Sequence, residues 1–198
     1  MSEVDQAAFR RATGQFASGI VVVTTATGHA MTVSAFASVS LDPPLVLFCA
    51  EKIARFHDAV LEAGSWAVSI LAEDDEKTAR WLATRGRPLD GQLDGLAYRP
   101  GPATGAPVLD DALAFLECQT EAVHDGGDHS IIVGRVVGVG GPLDPAAPAA
   151  PAAQAGPAGP DGPENPSAPR PLVHYSGAYR RLAGPVGEGE PEPGQSRG

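Results

Sequence analysis

Two long strand-like runs late in the chain most constrain what it can fold into. Ala112 to Val123 and Ser130 to Val139 both have strand composition, and only His124-Asp125-Gly126-Gly127-Asp128-His129 lies between them. Valine, isoleucine and threonine fit a pleated, half-buried surface better than a helix. A link of this length containing Asp-Gly-Gly suits a hairpin and is too short for the crossover that parallel strands need. The chain is thereby committed to antiparallel β-structure.

Ile20-Val21-Val22-Val23-Thr24-Thr25 predicts another strand. Thr27-Gly28-His29 predicts a tight turn leading into Ala30 to Glu51, AMTVSAFASVSLDPPLVLFCAE. That stretch opens with small and hydroxyl residues and turns at Asp42-Pro43-Pro44. It then runs apolar from Leu45 to Cys49 as a third strand. The small residues let a flat ligand approach the main chain, and the hydroxyls of Thr32, Ser34, Ser38 and Ser40 can hydrogen-bond its polar edge. Taken alone, such a stretch is more often an ordinary strand edge.

Helical spacing of Phe9, Ala12 and Phe16 predicts a helix over Asp5 to Phe16 with those residues buried. A second helix, Ile53 to Glu62, would bury Phe56, Ala59 and Val60 and stop at Gly64. Trp66 to Leu71 reads as a strand. Glu73 to Thr84 reads as a third helix, with acidic residues at its start and Arg80 and Arg85 toward its end. Gly86 to Gly105, rich in Gly, Pro and Asp, predicts a long surface loop, and loops of that length are usually functional or mobile. Trp66 and Trp81 read first as packing residues. Short strands, a few helices and no βα alternation predict a mainly β fold, an antiparallel barrel with helical decoration.

Composition changes abruptly between Gly141 and Pro171, where ten of the 19 prolines fall among Ala and Gly. This reads as an insert unable to bury a core, disordered or extended. An ordered piece resumes over Pro171 to Leu182, followed from Ala183 by a Gly/Glu/Pro tail, expected to be disordered. Residues 1–182 are read as one domain interrupted by the insert. A net charge of −10 argues against nucleic acid and anionic membrane surfaces, but leaves room for a local basic pocket. Cys49 and Cys118 lie in apolar segments and read as free thiols of a reducing compartment. No apolar run approaches the roughly 18 residues of a membrane span, and the N-terminal residues lack the apolar core of a signal peptide. A cytoplasmic protein is expected.

Glu51-Lys52-Ile53-Ala54-Arg55 joins a strand to a helix. Lys52 and Arg55, with first-turn backbone N–H groups, can hold a phosphate, although a solvated charged turn fits the same spacing. His129 sits at the hairpin mouth and can touch a substrate or donate a proton near neutral pH, although a turn histidine is more often simply solvated. The five histidines lack metal-ligand spacing, and no nucleophile motif is present. Gly138-Val139-Gly140-Gly141 runs into Pro142 with no helix following, so it is no dinucleotide fingerprint.

The segments FRRATGQFASGIVVVTT, TVSAFASVSLDPPLVLFCAEK, WAVSIL, ALAFLECQTEAVHDGGDHSIIVGRVV and PLVHYSGAYRRL, in that order, resemble the flavin reductase-like family. These are the flavin:NAD(P)H reductase components of two-component flavin monooxygenases. The resemblance covers about residues 5–140 and 171–182. It implies an FMN-binding split β-barrel that forms a homodimer with FMN or FAD at the interface and NADH or NADPH as hydride donor. It also implies a flavin-dependent monooxygenase as partner. By the same resemblance Thr32, Val33, Ser34 and Ala35 line the flavin ring, and Ser38 and Ser40 belong to the flavin-binding strand or its turn. Ala50, Lys52, Ala54 and Arg55 approach the flavin phosphate. His129 lies near the nicotinamide, and Tyr179 and Arg180 close the site. The family often carries small hydroxyl residues where this chain has Ile53-Ala54-Arg55. The loss of a hydroxyl at Ala54 weakens the grip or shifts the load to Lys52, Arg55 and main-chain N–H groups. A flavin-binding redox module without turnover, and an oxidase of the related pyridoxamine-phosphate oxidase-like barrels, are the alternatives.

Overall fold

The computed structural model describes residues 4–88, 90–141 and 169–183. The predicted insert lies almost wholly outside the described residues, as does the tail beyond Ala183. Helix α1 (Gln6–Thr13) is capped by the Asp5 carboxylate, which accepts from the Ala7 and Ala8 N–H groups. Strands β1 (Ser18–Gly19), β2 (Val21–Thr24), β3 (Ala30–Val33), β4 (Phe36–Leu41) and β5 (Pro44–Glu51) follow. Then come α2 (Arg55–Ala63), β6 (Ser65–Ile70), a 3₁₀ turn at Glu73–Asp75 and α3 (Glu76–Ala83). The remaining strands are β7 (Tyr98–Pro100), β8 (Pro107–Leu109), β9 (Ala114–Gly126), β10 (His129–Gly140), β11 (Val173–Tyr175) and β12 (Ala178–Arg180).

Seven strands form one antiparallel sheet in the order β3-β2-β6-β9-β10-β5-β4. Its two edges, β3 and β4, are separated in sequence only by Ser34 and Ala35. Three Cα steps reach about 10 Å, whereas the edges of a flat seven-stranded sheet lie about 29 Å apart. The sheet therefore curls until its edges meet, and at that point the Cys49 N–H donates to the Ala35 carbonyl at 3.1 Å.

Both faces of β2 are buried, which is why its sequence is an unbroken β-branched run. Val21 and Val23 join Phe48, Trp66, Cys118 and Ile132 in one core. Ile20 and Val22 face a second, with Leu71, Ala79, Leu82 and Leu93. Trp66 meets Phe48 edge-on at 4.8 Å, and its indole donates to Thr120 Oγ1 at 3.1 Å. Gly134 on β10 leaves room for that indole: a Cβ there would lie 2.3 Å from Trp66 Cζ2. The C-terminal piece closes the molecule. The Leu172 carbonyl accepts from the Ile20 N–H at 3.0 Å, and β11 pairs with β1.

Three expectations change. The apolar face expected of the first helix is not buried: Phe9 is 59% exposed and Phe16, just beyond the end of α1, 80%, because among the described residues no other element packs over it. The segment 86–105 is not all loop; β7 pairs with β8 and covers Ala67 and Phe115 on the outer face of the sheet. Trp81 is 38% exposed and works mainly through its N–H, which donates to the Gln92 carbonyl at 2.8 Å. Within α2 the buried residues are Phe56, His57 and Val60. His57 bridges Ser130 Oγ and Asp58, each at 2.9 Å.

Candidate functional site

A cleft of about 410 Å³ opens where the sheet edges meet. One wall is the edge strand β3 with its continuation Ser34–Ala35. As an edge strand, β3 has an outward row of backbone groups with no strand partner, of which those of Ala30 bond Gln92 and Arg87 instead. The floor comes from Cys49 and Glu51 at the end of β5 and from Ala54, Arg55 and Phe56 at the start of α2. Ala54 supplies no side-chain cap, so first-turn N–H groups of α2 are left for another acceptor. The opposite wall is the segment Thr84–Arg87 with Gln92. Gly86 carries this segment through a positive φ of 76° that a side chain would strain. His129 stands at the rim.

The cleft is cationic in an acidic chain. Arg55 donates to the Arg87 carbonyl, and Arg87 donates to the Ala30 carbonyl and, at 3.0 Å, to that of Thr84. Burial, then the Arg55 charge beside it, pull Arg87 below the usual arginine range. Guanidinium groups stay protonated at neutral pH regardless. Arg87 Nε is buried with no acceptor among the described residues. Arg85 reaches across to Glu51, donating to both carboxylate oxygens at 2.7 and 2.9 Å. A buried N–H without an acceptor, three guanidinium groups and an uncapped helix start together fit the phosphate end of a ligand.

Residues 13–183 match the family of the flavin reductase like domain. The chain belongs to that family. A curated relative, the NADH-dependent FAD reductase of Streptomyces globisporus, is 40% identical over 136 residues, 67% of this chain and 75% of the relative. BorF, the flavin reductase component of a bacterial two-component tryptophan halogenase, superposes with a TM-score of 0.73 at 38% identity, over 91% of this chain and all of that one. The NADH:FAD oxidoreductase SgcE6 of Streptomyces globisporus C-1027, in complex with NAD and FAD fragments, gives 0.74 at 31% identity, over 92% of this chain and 98% of that one.

This flavin reductase-like domain brings seven of the predicted site residues to the cleft: Thr32, Val33, Ser34, Ala35, Ala54, Arg55 and His129. The Thr32 hydroxyl donates to the Ala79 carbonyl at 2.8 Å, so only its lone pairs remain for a ligand. Lys52 turns out of the cleft to bind Asp125 and, at 2.7 Å, the Gly127 carbonyl. It fastens the β9–β10 turn, and with it His129, to the end of β5. Ala50 is fully buried in the core behind the floor. Ser38 and Ser40 lie on β4, outside the cleft lining. Tyr179 packs against Arg80 at 4.9 Å, and Arg180 is exposed on β12. The residues that composition alone did not single out are Glu51, Arg85, Arg87 and Gln92. The arginines following an amphipathic helix were the available signal.

His129 Nδ1 lies 2.7 Å from Asp128 Oδ1. The hydrogen bond from His129 and then its charge hold the Asp128 carboxyl below the usual range. Burial raises the thiols of Cys49, on the cleft floor, and of Cys118, the latter to about 12. Neither serves as a thiolate near neutral pH.

Proposed function

We propose that this chain reduces free FMN or FAD with NADH or NADPH and supplies reduced flavin to a partner monooxygenase. The observation that carries the reading is the cleft itself: a strand edge of small residues faces three arginines in a chain of net charge −10. When bound, the nicotinamide supplies a hydride to the oxidised flavin ring, chemistry that belongs to the cofactors. The protein's part is to bind, orient and exclude water. Val33, Ser34 and Ala35 present a flat surface and backbone groups to the ring. Arg55, Arg87 and the first-turn N–H groups of α2 hold the phosphate, and Ala54 leaves those N–H groups unblocked. His129, oriented by Asp128 through Nδ1, offers Nε2 toward the nicotinamide.

The same reading extends to assembly and location. The curled sheet is a split barrel, and residues 1–182 are one domain with the 141–171 segment inserted. Support comes from the piece after the insert, which returns to pair with β1. The exposed Phe9 of α1 and Phe16 just beyond it, together with Leu41 and Ile53, would be covered in a homodimer. Ser38, Ser40, Tyr179 and Arg180 then contribute to the site from the dimer interface. Two free cysteines suit the cytoplasm, and among the described residues no helix is long and apolar enough to cross a membrane.

The test is steady-state oxidation of NADH and NADPH with FMN, FAD and riboflavin as acceptors. Turnover is expected with all three, with KM about tenfold higher for riboflavin, which lacks the phosphate. Failure of every flavin to support nucleotide oxidation would overturn the proposal. Tight flavin binding without turnover would indicate a redox module instead.

A further inference from the structure

Glu51 is the only carboxylate among the described residues lining the cleft. It is already engaged: both oxygens accept from Arg85 Nη2, at 2.7 and 2.9 Å. The pair spans the cleft, joining the end of β5 to the segment after α3. It is also lopsided. The Glu51 side chain is 28% exposed and that of Arg85 77%, so the acid is held in place and the base is free to swing. Among the described residues the other two arginines meet only carbonyl and amide oxygens. A neutral acceptor leaves their charge uncompensated, whereas Glu51 neutralises that of Arg85.

We propose that Glu51 is a built-in competitor for the anionic end of the ligand and sets how tightly the cleft holds a phosphorylated flavin. This rests on the flavin reading above. An arriving phosphate must take Arg85 from a carboxylate, and as the ligand leaves, Glu51 takes Arg85 back. A half-exposed ion pair is weak enough for that exchange. The exchange lowers affinity for the phosphate-bearing ligand alone, and so narrows the preference for FMN over riboflavin. A protein that must hand its product to another enzyme gains faster release from such a device.

The discriminating measurement is equilibrium binding of FMN and of riboflavin by flavin fluorescence, without nicotinamide, on the full chain. Wild type, Glu51→Gln, Arg85→Gln and the double variant are compared, with thermal melting to confirm folding. Glu51→Gln is expected to tighten FMN about three- to tenfold while moving riboflavin less than about twofold. Arg85→Gln is expected to weaken FMN. In the double variant the gain from Glu51→Gln should disappear, because it acts through Arg85. Unchanged or weaker FMN binding by a folded Glu51→Gln, or a gain that persists without Arg85, would sink the proposal. Equal tightening of both flavins would do so too. Wild-type protein that binds neither flavin would overturn the flavin reading itself, a different result from wild type that binds both and a variant that changes nothing.

Discussion

The two walls of the cleft are built on different principles. The β3 wall is held by its ladder to β2, with Val21 opposite Val33 and Thr24 opposite Ala30, and is backed by the Phe48–Trp66 core. Among the described residues, the wall of Thr84–Arg87 and Gln92 has no ladder. Side chains hang it in place: Trp81 on the Gln92 carbonyl, Arg87 on the Ala30 carbonyl, and Gln92 Oε1 accepting from the Ala30 N–H at 3.1 Å. The first wall supplies shape and the second supplies charge. A strand edge is costly to disturb because the whole core moves with it, whereas a wall hung on a few hydrogen bonds can adjust to its ligand.

That contrast can be broken in stages. The largest effect belongs to the core behind the strand wall. Trp66→Ala should cost about 3–5 kcal/mol of stability, read by chemical denaturation, with loss of flavin binding only as a consequence of unfolding. Arg87→Ala should reverse the pattern. The KM for FMN and FAD rises about tenfold or more and that for riboflavin much less, with a melting temperature nearer wild type than that of Trp66→Ala. A riboflavin KM that rose equally would show Arg87 to be a structural strut.

Smaller effects sharpen the comparison. His129→Ala should raise the nicotinamide KM about fivefold with a modest fall in kcat. Complete inactivity with normal nicotinamide binding would refute an orienting role. Trp81→Phe removes one hydrogen bond of about 1 kcal/mol and should raise the FMN KM about threefold, with faster amide exchange around Gln92. The smallest effect concerns the clasp between Lys52 and Asp125. The hydrogen bond from Lys52, then that from the Gly127 N–H, hold the Asp125 carboxyl below its usual value. Because the folded value is depressed, the stabilisation is complete above the unfolded value of about 4 and is lost as pH falls through the folded one. Asp125→Asn should therefore melt slightly lower than wild type at neutral pH, and the gap should close on acidification.

Much of the strand wall was legible from local sequence. The β-branched run of β2, the turn at Gly28, the stop at Gly64 and the long β9–β10 hairpin follow from propensity and turn chemistry, and each formed within a few residues of its expected place. The floor was half legible: Ala54 and Arg55 reached the cleft, but Lys52 found a nearer anion in Asp125. The basic wall was hardest to read. Arg85 and Arg87 stand in a Gly- and Pro-rich segment where arginines are ordinarily solvated. Their meaning depends on Ala30 and Glu51, far away in sequence.

Sequence alone determined the antiparallel commitment, the family and the strand that walls the cleft. Those depend on neighbours along the chain, and on a pattern of segments that survives without coordinates. Tertiary structure decided which cations face the cleft, that Thr32 donates to α3, and that Phe9 and Phe16 stay exposed. Each of those depends on which distant group lies within hydrogen-bond or packing distance. For a chain whose two sheet edges meet at Ser34–Ala35, that is settled only when the sheet curls.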